Sequence, residues 1–281
     1  MDANPPIARH RSGSVTRFFA LTFLITWGLQ VPGILAKSGV LPGQADAYLP
    51  FAALGIFGPL VAATLLTARE GGAAAVRALF APLFRWRAPL RVYLVALAPA
   101  LLLSAGLGLL RGAGREGPIA YMPNLGGVIA AVVISLAEEV GWRGFALPRL
   151  QPQLGSFSAS AVIGVLWLLW HFPMFIGMNV PLSLLLVMLL YFVGGSLAFT
   201  WLFNGSGGSL FVLVFAHVCV HLNNSMRALP DDAVPYLIHA IVYGGLGLSL
   251  LAPRWSPRAE FRKRHCSLPS CSEQPPHFVD K

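Results

Sequence analysis

Residues 125–144 read LGGVIAAVVISLAEEVGWRG, an apolar run that ends in two adjacent acids, Glu138 and Glu139. A helix that crosses a membrane needs about 20 mostly apolar residues, and this run is long enough. A charged side chain at membrane depth is costly, and by default it marks a functional position. The stretch therefore predicts a transmembrane helix that carries a functional carboxylate.

The rest of the chain has the same apolar character. Of its 281 residues, 56% are hydrophobic and 11% are charged, whereas a soluble domain carries about 25% charged residues. Its mean hydropathy is +0.68. We predict an all-α, polytopic transmembrane helical bundle with about eight spans. These lie at about 17–36, 48–68, 90–110, 123–142, 157–176, 181–203, 208–225 and 233–252.

The net charge of +9 predicts a topology rather than a nucleic-acid partner, because the cations lie in short segments between apolar runs. With the N-terminus inside, 15 of the 20 Lys and Arg residues fall in inner segments and 4 in outer ones. The positive-inside rule favours this orientation, with both termini cytoplasmic. We divide the chain into an N-terminal cytoplasmic segment (1–16), a membrane domain (17–252) with its active-site core at 123–225, and a disordered basic tail (253–281).

The two glutamates are predicted to have different surroundings. Adjacent helix positions are about 100° apart, so Glu138 and Glu139 cannot face the same way. Arg143 follows Glu139 by four residues, the spacing of an intrahelical ion pair, which leaves Glu138 facing elsewhere. Desolvation makes a carboxylate a stronger base, and such a group is suited to general base catalysis near neutral pH. The alternative is that both acids lie at the membrane surface beside Arg143.

Helix lengths predict that Glu138 meets a histidine of the next span. If the helix of Glu138 continues to Gln151, Glu138 lies about 20 Å from its inner end. His171 then lies about 21 Å into a returning helix that starts near Phe157. The two side chains would reach the same depth on adjacent antiparallel helices. Pro148 counts against an unbroken helix and predicts a kink, or a break after the preceding residue.

Two further histidines complete the predicted site. His217 and His221 are one helical turn apart and share a face, and His217 lies roughly 15 Å into its span. Together with Glu138 and His171 they form a polar group within an apolar bundle. The remaining membrane histidine, His239, has no predicted partner and is interpreted as structural or interfacial.

These motifs resemble the CAAX protease and bacteriocin-processing family, also called the Abi family. The family pattern is Glu-Glu-x-x-x-Arg, then an aromatic residue four positions before a His, then His-x-x-x-Asn. The matching residues here are Glu138, Glu139, Arg143, Trp167, His171 and His217. One position departs from the pattern, because His221 stands where the family usually has Asn.

The resemblance implies a peptidase that acts inside the membrane, related to the enzyme that removes the last three residues of prenylated CAAX proteins. It implies that Glu138, helped by His171, activates a water molecule, and that His217, with His221 in the Asn position, holds the oxyanion. Glu139, Arg143 and Trp167 would then be supporting residues. The expected partners are membrane lipid and a membrane-associated or lipidated peptide or protein, without nucleic acid. The expected location is the bacterial cytoplasmic membrane.

Two alternatives stay open at the level of sequence. Glu138, His171, His217 and His221 could instead bind zinc, since imidazole and carboxylate are its usual ligands. The HExxH spacing of common zinc peptidases is absent, so we expect no metal cofactor, with zinc as the alternative. The second alternative is a non-catalytic protein, such as a transporter, a scaffold or a bacteriocin immunity factor. Transporters often contain inverted repeats, and the sequence shows none.

Overall fold

A computed structural model describes residues 12–112, 125–222 and 233–251, and these ranges contain helices and no strands. The α-helices are α1 (Ser12–Lys37), α2 (Leu49–Gly55), α3 (Gly58–Phe80), α4 (Leu90–Gly112), α5 (Leu125–Glu139), α6 (Leu147–Trp170), α7 (Phe172–Gly177), α8 (Leu185–Gly205), α9 (Leu210–Leu222) and α10 (Ala233–Leu251). A π-helix, Val140–Ala146, joins α5 to α6. Short 3₁₀ turns occupy Ala45–Tyr48, Ala81–Phe84 and Leu182–Leu184. The predicted tail at 253–281 lies outside the described residues.

The predicted all-α, polytopic architecture is confirmed, and each predicted apolar segment overlaps a helix or a pair of helices. By length and composition, three described helical runs could each cross a membrane: Gly13–Lys37, Leu125–Gly177 and Leu182–Gly205. The bent pair Ala45–Gly55 and Gly58–Phe84 would make a fourth. Helices α4, α9 and α10 contribute shorter apolar stretches. The number of eight spans and the side of each terminus stay predictions.

The run from 125 to 177 reverses direction at Gly155. This residue has φ +76° and ψ 167°, a conformation that glycine adopts readily because it lacks a Cβ. The second arm of α6 then returns toward the end of α5, so that Trp167 Nε1 lies 2.6 Å from Glu138 Oε2. In one straight helix these residues would be about 43 Å apart. The reversal that the helix lengths predict is therefore present, but the expected packing of the two helices is not, because α5 packs mainly against α9 and α3.

The kink or break that Pro148 predicts after Leu147 is not found there, because the helix is irregular before Leu147 instead. The chain widens into π turns over Val140–Ala146, immediately after the two glutamates. Pro148 occupies the first turn of α6, where its missing N–H costs little. Single π segments within α-helices are frequent at functional sites, and this one begins at the residue after Glu139.

The predicted span at 48–68 is broken where α2 meets α3, at a bend of 42°. The start of α3 packs closely on two neighbours that position the site. A Cβ on Gly58 would lie 2.1 Å from Thr26 Oγ1 of α1, and one on Gly141 would lie 2.5 Å from Pro59 Cβ. Because no side chain fits at either glycine, α1, α3 and the π-helix approach one another at backbone distance.

Helix α8 is buried along most of its length and packs against α6 and α10. Small residues allow this close approach, as is usual between membrane helices. A Cβ on Gly164 of α6 would lie 2.7 Å from Val193 Cα, and one on Gly194 would lie 2.4 Å from Gly244 Cα of α10. The contacts hold α8 beside the part of α6 that carries Trp167.

Candidate active site

Glu138 is placed on the wall of a buried cavity between the helices. Its side chain is 2% exposed, and its Oε2 atom accepts a hydrogen bond of 2.6 Å from Trp167 Nε1. Among the described residues, no cation lies within ion-pair distance of this carboxylate. The acid is therefore held in place by a neutral donor rather than by an ion pair.

Glu139 faces away from Glu138 and has two partners. Its Oε1 atom accepts a hydrogen bond of 2.9 Å from Arg143 Nη1, which is the ion pair expected from the spacing. The same oxygen lies 2.8 Å from His217 Nδ1 of α9. Sequence reasoning did not find this second contact, because nothing in the spacing joins residues on α5 and α9. Glu139 thus links the end of α5 to His217 of α9.

Arg143 is fully buried between two aromatic rings. Its guanidinium carbon lies 4.9 Å from the ring centroids of Trp167 and Phe199. A cation over an aromatic face is stabilised by the ring quadrupole, and more so when both are desolvated. Trp167 therefore contacts two residues of the Glu-Glu-x-x-x-Arg motif: it donates a hydrogen bond to Glu138, and its ring packs on Arg143.

His171 ends the returning arm of α6 and starts α7. Its Nδ1 atom lies 2.8 Å from the carbonyl oxygen of Trp167. A carbonyl oxygen can only accept, so Nδ1 carries the hydrogen and Nε2 of the neutral ring has a lone pair. The ring is fixed by Trp170 and Phe175, whose centroids lie 4.6 and 5.6 Å away. His171 lines the same cavity as Glu138.

The α9 histidines share one face, as the spacing predicts. The rings of His217 and His221 are stacked, with centroids 4.8 Å apart and planes 6° from parallel. Glu138, His217 and His221 each offer one ligand atom, and these atoms lie within 4.8 Å of one another. His171 is not part of this group.

The cavity has a volume of about 90 Å³, which is room for several water molecules. Its polar lining includes Glu138 and the three histidines. The remaining wall is mostly apolar, with contributions from Met174, Phe175, Met178, Met188 and Phe192. A base, further imidazoles and space for water inside an apolar bundle can together support hydrolysis.

Other residues of the cavity and its surroundings were not predicted to belong there. Gln30 of α1 and Tyr191 of α8 line it, and neither shows a sequence signal, since each is an isolated polar group in an apolar span. His239 is fully buried and packs on Tyr191 with ring centroids 5.3 Å apart, as the structural interpretation expects. Cys219 is buried but outside the cavity lining.

Comparison with known proteins agrees with these motifs. Residues 121–223 match the sequence model of a family described as type II CAAX prenyl endopeptidase Rce1-like. The chain is also similar to the CAAX prenyl protease 2 of Methanococcus maripaludis. The two are 24% identical over 242 residues, which cover 76% of this chain and 85% of the relative. The matched region contains every candidate site residue, from Glu138 to His221.

Proposed function

We propose that this chain, whose residues 121–223 match the Rce1-like family of type II CAAX prenyl endopeptidases, hydrolyses its substrate with a water molecule activated by Glu138. This match supports a protease of the CAAX type, and the apolar helices support an integral membrane protein. The mechanism and the substrate are the proposal. One observation carries it: among the residues that the structure describes, Glu138 faces the cavity without an ion-pair partner, whereas Glu139 is paired with Arg143.

The residues around the cavity can carry out each step. Glu138 takes a proton from the water while the water oxygen bonds to the scissile carbonyl carbon, and the carbonyl electrons move onto its oxygen. His171 can accept a proton at Nε2 and so assist the base. His217 and His221 would help to hold the oxyanion. When the carbon–nitrogen bond breaks, the proton returns to the leaving amine.

The proposed substrate is a membrane-associated protein or peptide that carries a lipid near its cleavage site. The relative from Methanococcus maripaludis is named a CAAX prenyl protease, which supports this class. The apolar wall of the cavity, formed by methionine and aromatic side chains, also suits an apolar substrate. We place the protein in the bacterial cytoplasmic membrane, as the sequence predicts.

Cleavage by purified full-length protein in detergent tests the proposal. The substrates are peptides with farnesylated or plain C-termini, and each is incubated with and without phenanthroline. We expect the wild type to cleave the lipidated peptides in the presence of the chelator and Glu138→Gln to lose cleavage. Glu70→Gln is the matched control, because Glu70 is ion-paired to Arg149 at 2.9 Å outside the cavity. Cleavage by Glu138→Gln would contradict the mechanism, whereas no cleavage by the wild type would favour the non-catalytic scaffold.

A zinc peptidase is the second candidate, and a specific feature favours it. Glu138, His217 and His221 lie close enough for three ligands to converge, and Glu139 bonds the other ring nitrogen of His217. Metal-bound histidines usually have such a carboxylate partner. The residues thus fit zinc, which when bound would supply an activated water. His171, which the sequence added to the zinc set, lies outside this group. Cleavage abolished by phenanthroline and restored by zinc would establish this candidate.

A further inference from the structure

Tyr191 of α8 is a polar residue of the cavity that the mechanism above does not use. It lines the cavity beside Glu138 and is only 6% exposed. Its ring is held by Phe192, His239 and Tyr243, whose ring centroids lie 5.0, 5.3 and 5.6 Å away. Within the described ranges, no residue forms a hydrogen bond with its hydroxyl. The phenol ring is thus fixed in the cavity wall by its aromatic neighbours.

Most other N–H donors at the cavity are already committed. An oxyanion is stabilised by donors that are in place before the reaction starts, so a donor that already has an acceptor cannot serve without breaking its bond. The committed donors are Trp167 Nε1 on Glu138, Trp170 Nε1 on Thr26 Oγ1, and Gln30 Nε2 on the carbonyl oxygen of Ala52.

Two of the three histidines present acceptors when neutral. His217 Nδ1 faces the carboxylate of Glu139, and His171 Nδ1 faces a backbone carbonyl, so both rings carry their hydrogen on Nδ1. Nε2 of each neutral ring is then a lone pair, which can take a proton but cannot donate one. His217 can help to hold an oxyanion only as an imidazolium. The hydroxyl of Tyr191 is a neutral donor that remains for the oxyanion.

We propose that the Tyr191 hydroxyl donates a hydrogen bond to the oxyanion of the tetrahedral intermediate, next to His221. This role rests on the hydrolysis proposed above. The hydroxyl keeps its proton throughout: as water adds to the carbonyl carbon, negative charge develops on the carbonyl oxygen and the O–H···O bond strengthens. The bond weakens again when the carbon–nitrogen bond breaks and the carbonyl re-forms.

Tyr191→Phe and Tyr243→Phe, each in the full-length protein, form a matched pair. Tyr243 belongs to the same aromatic cluster but lies outside the cavity lining. The substrate is the farnesylated peptide that the wild type cleaves, and the inhibitor is its phosphinate isostere, a tetrahedral analogue. For Tyr191→Phe we expect kcat to fall about 10²-fold and the phosphinate Ki to rise by a similar factor. KM and the apparent Tm should stay close to wild type, and Tyr243→Phe should match wild type throughout.

Three results would overturn the role of Tyr191 and leave hydrolysis by Glu138 intact. The first is a wild-type kcat in Tyr191→Phe. The second is a rise in KM alone, which would mean that the hydroxyl binds the ground state. The third is an equal loss in both variants with a lower apparent Tm, which would make the cluster structural. If the wild type cleaves none of the peptides, the proposed function and this role both fall.

Discussion

Glu138 and Glu139 lie on opposite sides of the end of α5, and their side chains have different partners. On the cavity side, Glu138 accepts one hydrogen bond, from Trp167. On the opposite side, Glu139 bonds both Arg143 and His217. Both carboxylates are almost completely buried, so burial alone does not separate them. The difference teaches that partners decide the role: a paired buried acid positions its neighbours, and one without a cation remains available for chemistry.

The largest expected effect separates the two acids directly. Glu138→Gln should lower kcat about 10³-fold, because it removes the general base. Its apparent Tm should be unchanged or higher, since the substitution also removes a buried charge without stranding a partner. Cleavage kinetics and thermal denaturation in detergent measure both quantities.

Glu139→Gln is the comparison for that variant. It leaves Arg143 buried without its carboxylate, so the apparent Tm should fall, and loss of activity should accompany the loss of stability. If Glu138→Gln and Glu139→Gln instead change kcat and Tm by similar amounts, the two sides do not differ as described.

The next largest effect is a loss of stability on breaking the ion pair between Glu139 and Arg143. Arg143→Met should destabilise the protein by about 3–5 kcal/mol, the usual cost of removing one partner of a buried ion pair. The double variant Glu139→Gln/Arg143→Met should recover part of this loss, because neither charge is then left unpaired. A double-mutant cycle on unfolding in detergent measures the coupling between the two residues. Additive effects would mean that the ion pair contributes nothing of its own.

Much of this arrangement follows from the sequence. Spacing predicts the Glu139–Arg143 pair and the shared face of His217 and His221, and helix lengths predict that the chain returns between 151 and 157. These features depend on residues close in sequence or on one helix, where geometry is regular. The Glu139–His217 bond and the position of Tyr191 could not be predicted, because they depend on how separate helices pack. The bend at 56–57 and the π-helix also escaped prediction, since apolar patterning marks a span without fixing its internal geometry.

A smaller effect on kcat tests Trp167, which contacts both Glu138 and Arg143. Trp167→Phe removes the N–H that bonds Glu138 and weakens the stacking on Arg143, so kcat should fall about 10-fold, the equivalent of one hydrogen bond to a charged group. Trp170→Phe is the matched control, because its N–H donates to Thr26 at 2.7 Å rather than to the acid. Trp170→Phe should lower the apparent Tm more than kcat. Equal kcat values for the two variants would show that the bond to Glu138 does not matter.

The smallest effect is expected where polar contacts are exposed. Lys37 at the end of α1 donates to the carbonyl oxygen of Gly177 at 3.0 Å and to Asn179 Oδ1 at 3.2 Å. Exposed charged contacts contribute at most about 1 kcal/mol, so Lys37→Met should shift the apparent Tm slightly and leave kcat within about two-fold of wild type, by the same assays. A ten-fold loss of kcat would show that this exposed contact positions α7, whose residues Met174 and Phe175 form part of the cavity wall. The distinction between exposed contacts that only stabilise and buried contacts that govern chemistry would then fail at α7.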